Sequence, residues 1–210
     1  LYELLLNKEG DIRRQAATLM GKIFADFNAG YRKELPKGMA DPDEKTVLAL
    51  WEETLEQLVC PDYRLTIQQK HRIQISLKFL MTAAMERSAE KLRQEFFDIF
   101  MNWFDGSKDL DEDSIFYLLD TVFTMPIELS AKDERLEQLV NYALSQMDYP
   151  SEKVRIAAIR VLKVLTGAVK ADHACYERVC EAAKAMNPDS ITMLFLQYRI
   201  FTNLRMDTKE

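Results

Sequence analysis

Apolar residues recur at spacings of three and four along almost the whole chain, and no stretch alternates apolar with polar in the two-residue rhythm of a half-buried strand. Such a period gives each segment one apolar stripe on a helix, and each stripe must find another to cover it. The stops between segments are equally regular. Gly10 closes a first helical tail over Leu1 to Asn7, and Asp11 opens a helix to about Lys33, ended by Leu35-Pro36-Lys37-Gly38. Asp41-Pro42 starts a third, which ends near Cys60-Pro61. Thr66 with Gln69 reads as a capping box for a fourth, to about Met85. Further helices are expected from Ser88 to Phe104, Asp111 to Thr124, Ser130 to Met147, Ser151 to Val169, Asp172 to Met186 and Asp189 to Leu204. Ten helices with short polar connections make an all-α chain. Only 6 Gly and 6 Pro in 210 residues argue against the turn-rich alternatives.

Charge and cysteine usage narrow the function classes. The net charge of −6 argues against a general phosphate-binding surface and so against nucleic acid. Three Cys read as reduced, mostly buried thiols, which fits a cytoplasmic location. No run approaches 18 apolar residues, so membrane insertion is not expected. A chain beginning at Leu1 also reads as part of something longer.

The even-numbered helices begin near residues 11, 66, 111, 151 and 189, close to the period of two-helix solenoid repeats. Two of them share a line of residues. Ile12-Arg13, Ala16-Ala17, Met20-Gly21 and Ile23 in one correspond to Val154-Arg155, Ala158-Ile159, Leu162 and Leu165 in the other. Small residues at 16, 17, 157 and 158 let neighbouring helices approach closely. This line resembles the second-helix signature of HEAT repeats. It departs from it at Lys163, opposite Gly21, and at Leu6, opposite Asp148. The helices starting at 66, 111 and 189 keep the apolar period without the signature. The resemblance implies an α-α superhelix of about five degenerate HEAT-like hairpins, one solenoid domain over residues 1–210. It also implies that second helices line a concave face, and that Asp148 pairs with an arginine of a neighbouring repeat. Arg13 and Arg155 are expected at contacts between repeats.

Chemistry-bearing constellations are sparse. His71 and His173 are the only histidines, and no nucleophile elbow, P-loop or dinucleotide glycine motif is present, so no catalytic residue and no cofactor is expected. His173, Cys175 and Cys180 crowd together. On a regular helix, however, Cys175 turns roughly 200° from His173, and Cys180 lies roughly 10 Å along the axis. Zinc bonds of roughly 2.0–2.3 Å do not span that, so both cysteines are read as small apolar groups and no metal is expected. Asp109, Asp111, Asp113 and Asp120 fall at the first, third, fifth and twelfth places of a calcium loop. Ser114 replaces its glycine, and the residues that follow look helical. These acids are better read as charges favoured by a helix start.

What remains is surface. From Glu86 to Arg135 there are 13 acids against 6 bases, a stretch read first as an ordinary solvated face and, as the alternative, as a surface that would attract a basic partner. Phe96, Phe97, Phe100, Phe104, Phe116 and Phe123 recur at helical spacing with Met101 and Trp103 nearby and are read as core. Phe195, Tyr198 and Phe201 stand apart as candidates for exposure. Arg155, Arg160, Lys163, Gln68 and Arg72 are the candidate partner-binding residues, since a concave face of second helices would present some of them. The chain is accordingly expected to be a non-catalytic protein-interaction scaffold. The alternatives are a regulatory or spacer segment of a larger signalling or enzymatic polypeptide and, from the same architecture, a HEAT-like DNA-repair glycosylase. Scarce Trp and the acidic balance weigh against the last.

Overall fold

A helix start leaves free backbone amides, and side chains satisfy them at some starts of this chain and not at others. A computed structural model of the protein describes residues 1–26, 44–125, 129–188 and 190–205. Among the described residues, a 3-10 turn over Tyr2–Leu6 is followed by ten α-helices: α1 (Gly10–Asp26), α2 (Glu44–Val59), α3 (Ile67–Gln74), α4 (Leu77–Arg87), α5 (Glu90–Met101), α6 (Glu112–Thr124), α7 (Glu134–Ser145), α8 (Glu152–Leu165), α9 (Tyr176–Ala185) and α10 (Ile191–Leu204). There is no strand among the described residues, so the all-α expectation holds. No helix among them is long and apolar enough to cross a membrane.

Local signals explain several starts and some of the differences. The Thr66–Gln69 capping box forms in both directions: Gln69 N donates to Thr66 Oγ1 (3.3 Å) and Thr66 N to Gln69 Oε1 (2.9 Å). Asp111 Oδ1 accepts from Ser114 N at 2.8 Å, capping α6. The helix expected from 66 to 85 is instead two, α3 and α4. Ser76 N bonds Ile73 O three residues back, and Ser76 Oγ bonds Arg72 O, which tightens one turn and offsets the axis. Helix α7 starts later than Ser130 because Asp133 is the residue that caps, accepting from Arg135 N at 3.0 Å. The first residues assigned to α9 form turns, with His173 Nδ1 accepting from Cys175 N (3.1 Å), and the helix begins at Tyr176. Ser190 caps α10 through Met193 N. Gly10, read as a stop, is the first residue of α1. The stop at Asp105-Gly106 is real: Gly106 takes the left-handed φ of +76°, which glycine adopts without steric cost. The expected caps at Asp41 and Asp189, and the end of the second helix at Lys33, lie outside the described residues.

By its internal contacts the chain divides into two compact units, Leu1–Trp103 with Thr124–Pro126, and Phe104–Phe123 with Ile127–Glu210. In the first, α1 packs along α4 and on the 3-10 turn, while α2 packs on α5. Trp51 is its fully buried centre. The indole stacks on Phe96 (4.4 Å between centroids), meets the edge of Phe24, and donates Nε1 to Phe96 O at 3.1 Å. The indole therefore buries a large apolar surface without losing its hydrogen bond.

In the second unit α8 packs on α7 and α10, and α9 sits against both of these. Leu118, Leu136, Val140, Val154, Ala158 and Leu162 form its core. Tyr176 Oη donates to Leu204 O, and Gln197 Nε2 donates to Ala183 O and Met186 O, tying α9 to α10.

Candidate functional site

The five candidate residues fall in two groups. Gln68 and Arg72 belong to the first unit, on α3. Gln68 is exposed, whereas Arg72 is half-buried and donates Nη1 to Leu6 O (3.1 Å), holding α3 to the 3-10 turn. Arg155, Arg160 and Lys163 belong to the second unit, all on α8.

Arg155 has a structural task, and so does its counterpart. Its Nη1 donates to Tyr149 O and Pro150 O, both at 2.9 Å. Arg13 Nη1 donates to Asn7 O (2.8 Å) and Lys8 O (2.7 Å), which are the same positions relative to the arginine. Each arginine thus clamps the turn leading into its own helix. This corrects the expectation of contacts between repeats. The cause is reach: the guanidinium folds back over the first turn, where carbonyls before the helix lack partners. Asp148 is exposed and pairs with no arginine among the described residues, so the implied Asp–Arg ladder is absent there.

The two signature helices part at Gly21 and Lys163. A Cβ on Gly21 would lie 2.3 Å from Leu80 O and 2.9 Å from Ala83 Cβ, so α1 and α4 meet at backbone distance. At the matching place on α8, Lys163 is half-exposed. There α10 meets α8 through a polar side chain: Asn203 Nδ2 donates to Lys163 O (2.8 Å) and to Thr166 Oγ1 (3.0 Å).

Helices α6 and α8 meet along a seam with two different ends. At the α8 N-terminus Lys153 pairs with Glu112 (3.1 Å) and Asp113, and stands over the Phe116 ring at 5.5 Å. Ser151, expected to cap α8, occupies the cap position but turns its hydroxyl to Glu112 Oε1 (2.8 Å). Hydrogen bonds from Ser151 and then Lys153 hold the Glu112 carboxyl below the usual carboxylate range. At the other end Arg160 and Lys163 both stand over Phe123, at 5.9 and 6.0 Å from its centroid. Beside them opens a cleft of about 320 Å³ whose lining side chains, Val122, Leu129, Leu136, Val164, Leu165 and Ala168 among them, are apolar.

Phe116 and Phe123, read as core, are therefore half-exposed seam residues, whereas Phe96, Phe97, Phe100 and Phe104 are buried as expected. The helical period is the same for all six. What differs is a cationic neighbour on α8 that the local sequence does not reveal.

Two further faces expose apolar side chains. On α10, Met193, Leu196 and Ile200 are buried, while Ile191, Leu194, Phe195 and Tyr198 form a second stripe, each more than half exposed. Phe201, expected with them, is half-buried. Ile191 and Leu194 escaped the sequence reading, although apolar residues on both sides of one helix were the available signal. On α1, Ile12, Leu19 and Ile23 are between 39% and 53% exposed, whereas their counterparts Val154, Val161 and Leu165 on α8 are at most 4% exposed.

The cysteines do not converge. Cys175 is buried in the turn before α9, Cys180 is half-buried and Cys60 is exposed. Burial pushes the Cys175 thiol pKa up, against the pull of the nearby Arg178. No group of three or more His, Cys, Asp or Glu among the described residues could hold a metal ion. The calcium-loop spacing is consumed by α6, which holds Asp113 and Asp120 in helix, with Asp113 paired to Lys153. Comparison with protein-family models, curated proteins and solved structures finds no match to this chain.

Proposed function

We propose that the chain is a non-catalytic, cytoplasmic protein-interaction module built from HEAT-like hairpins. One observation carries this reading: the outer stripe of α10, where Ile191, Leu194, Phe195 and Tyr198 stand at helical spacing on a helix whose opposite side is already buried. Large apolar side chains gathered on one face favour docking of an amphipathic partner. The repeated arginine clamp at Arg13 and Arg155 supports the HEAT-like relation of the two helices. The test is affinity capture from cell extract followed by pairwise binding with the purified partner. The doubly substituted chain Phe195→Asp, Tyr198→Asp is expected to lose that partner while keeping its helical circular dichroism. Undiminished binding by the double variant would sink the reading.

A regulatory or spacer segment of a larger polypeptide is the second reading, and the α1 stripe favours it. Ile12, Leu19 and Ile23 occupy positions that α8 covers with neighbouring helices, as a hairpin stacked on α1 would cover them. Capture of no partner, together with slow exchange of α1 amides only in a longer chain, would support this alternative over the first.

A further inference from the structure

We propose that the cleft bordered by α6, α7 and α8 binds a short apolar peptide segment bearing acidic side chains, with Arg160 and Lys163 receiving its carboxylates. This rests on the reading of the chain as a binding module but uses a different surface from the α10 stripe.

The cations are placed for it. Arg160 lies one turn before Val164 on α8, and Lys163 immediately precedes Val164, so both stand next to a residue of the cleft wall. Both stand over Phe123, the neighbour of Val122 in that wall. Lys153, on the same helix, is neutralised by Glu112 and Asp113, but neither Arg160 nor Lys163 pairs with a carboxylate among the described residues. Among those residues both meet a ring face and no carboxylate, which leaves their charge open to an acidic ligand beside the apolar cleft. The free carbonyls at the end of a helix favour a cation at Lys163. They do not account for Arg160, which stands a turn earlier over the same ring.

The cleft is also the right kind of space. A volume of about 320 Å³ accommodates a few apolar side chains, near the lower end of the range for binding clefts. It is open along one side and its two cations are spread along a helix, an arrangement suited to successive side chains of a peptide.

The test uses the full chain and a fluorescent peptide with Leu and Phe at helical spacing and Glu and Asp between them. A twin carries Gln and Asn in place of the acids. The acidic peptide is expected to bind about tenfold more tightly than its twin at low salt, an advantage that added salt erodes. Arg160→Glu with Lys163→Glu should remove that advantage while helical circular dichroism stays unchanged. Arg160→Lys should keep most of it. Equal binding of the two peptides, no binding of either, or an affinity indifferent to the charge reversal would overturn the proposal, as would equal competition by decanoate. Phe195→Asp with Tyr198→Asp should leave peptide binding intact, so a failure at this cleft is distinguishable from a failure of the α10 face.

Discussion

Helices α1 and α8 share a signature, an arginine clamp and an apolar period, yet they use the same positions in opposite ways. At the position of Gly21, α1 is pressed against Leu80 and Ala83 of α4, and at the matching Lys163 α8 carries a half-exposed side chain and meets α10 through Asn203. At the positions of Ile12, Leu19 and Ile23, α1 is open, and at Val154, Val161 and Leu165 α8 is covered. A repeat signature thus specifies which residues could pack. What packs on them is decided by the neighbours.

The sharpest challenge to this contrast is a charge placed at equivalent sites. Leu165→Asp should destabilise the second unit by about 4 kcal/mol, because it buries a carboxylate without a partner. Ile23→Asp should cost no more than about 0.5 kcal/mol. Urea unfolding of both variants measures the difference, and similar losses would mean the α1 stripe is covered in solution.

Next in size is Gly21→Ala, expected to cost about 3 kcal/mol because Leu80 O belongs to helical backbone that cannot step aside. Its counterpart Lys163→Ala should be nearly silent in the same melt. Arg13→Ala and Arg155→Ala should each cost about 2 kcal/mol, and by similar amounts, since each removes two charge-assisted bonds to carbonyls before a helix. A large inequality between them would break the equivalence of the two turns.

The last expectation is silent at neutral pH. Burial pushes the phenols of Tyr117 and Tyr142 in the second unit up to about 12. A phenol whose folded pKa exceeds its unfolded value of about 10 contributes stability below pH 10. That contribution is lost as the pH rises through about 12. Alkaline titration followed by circular dichroism should show this loss, and Tyr142→Phe should flatten it.

The helical architecture was legible because its signals are local. Caps such as Thr66 and Asp111 act within three residues, and breaks such as Asp105-Gly106 act within two. The same locality explains the failures. Ser151 sits at a helix start with the correct chemistry, but Glu112 from another helix takes its hydroxyl. Phe123 has the period of a core residue, but Arg160 and Lys163 meet it at the surface. The split between α3 and α4 turns on how Ser76 uses its hydroxyl, a choice between neighbours that spacing cannot rank. Of the five candidate site residues, two already hold backbone carbonyls, Arg72 and Arg155, because the sequence tells which face an arginine leaves from and not where its guanidinium ends.

The glycine contact between α1 and α4 also bears on how quickly the chain finds its structure. It joins position 21 to position 80, so a long stretch of chain must be closed before the tight seam contributes anything. The α7–α8 pairing needs only a hairpin's worth of closure. The second unit should therefore reach its helical pairing first, and the first should be the slower to fold. If the seam forms after the transition state, Gly21→Ala would act mainly by hastening unfolding and leave the refolding rate nearly unchanged.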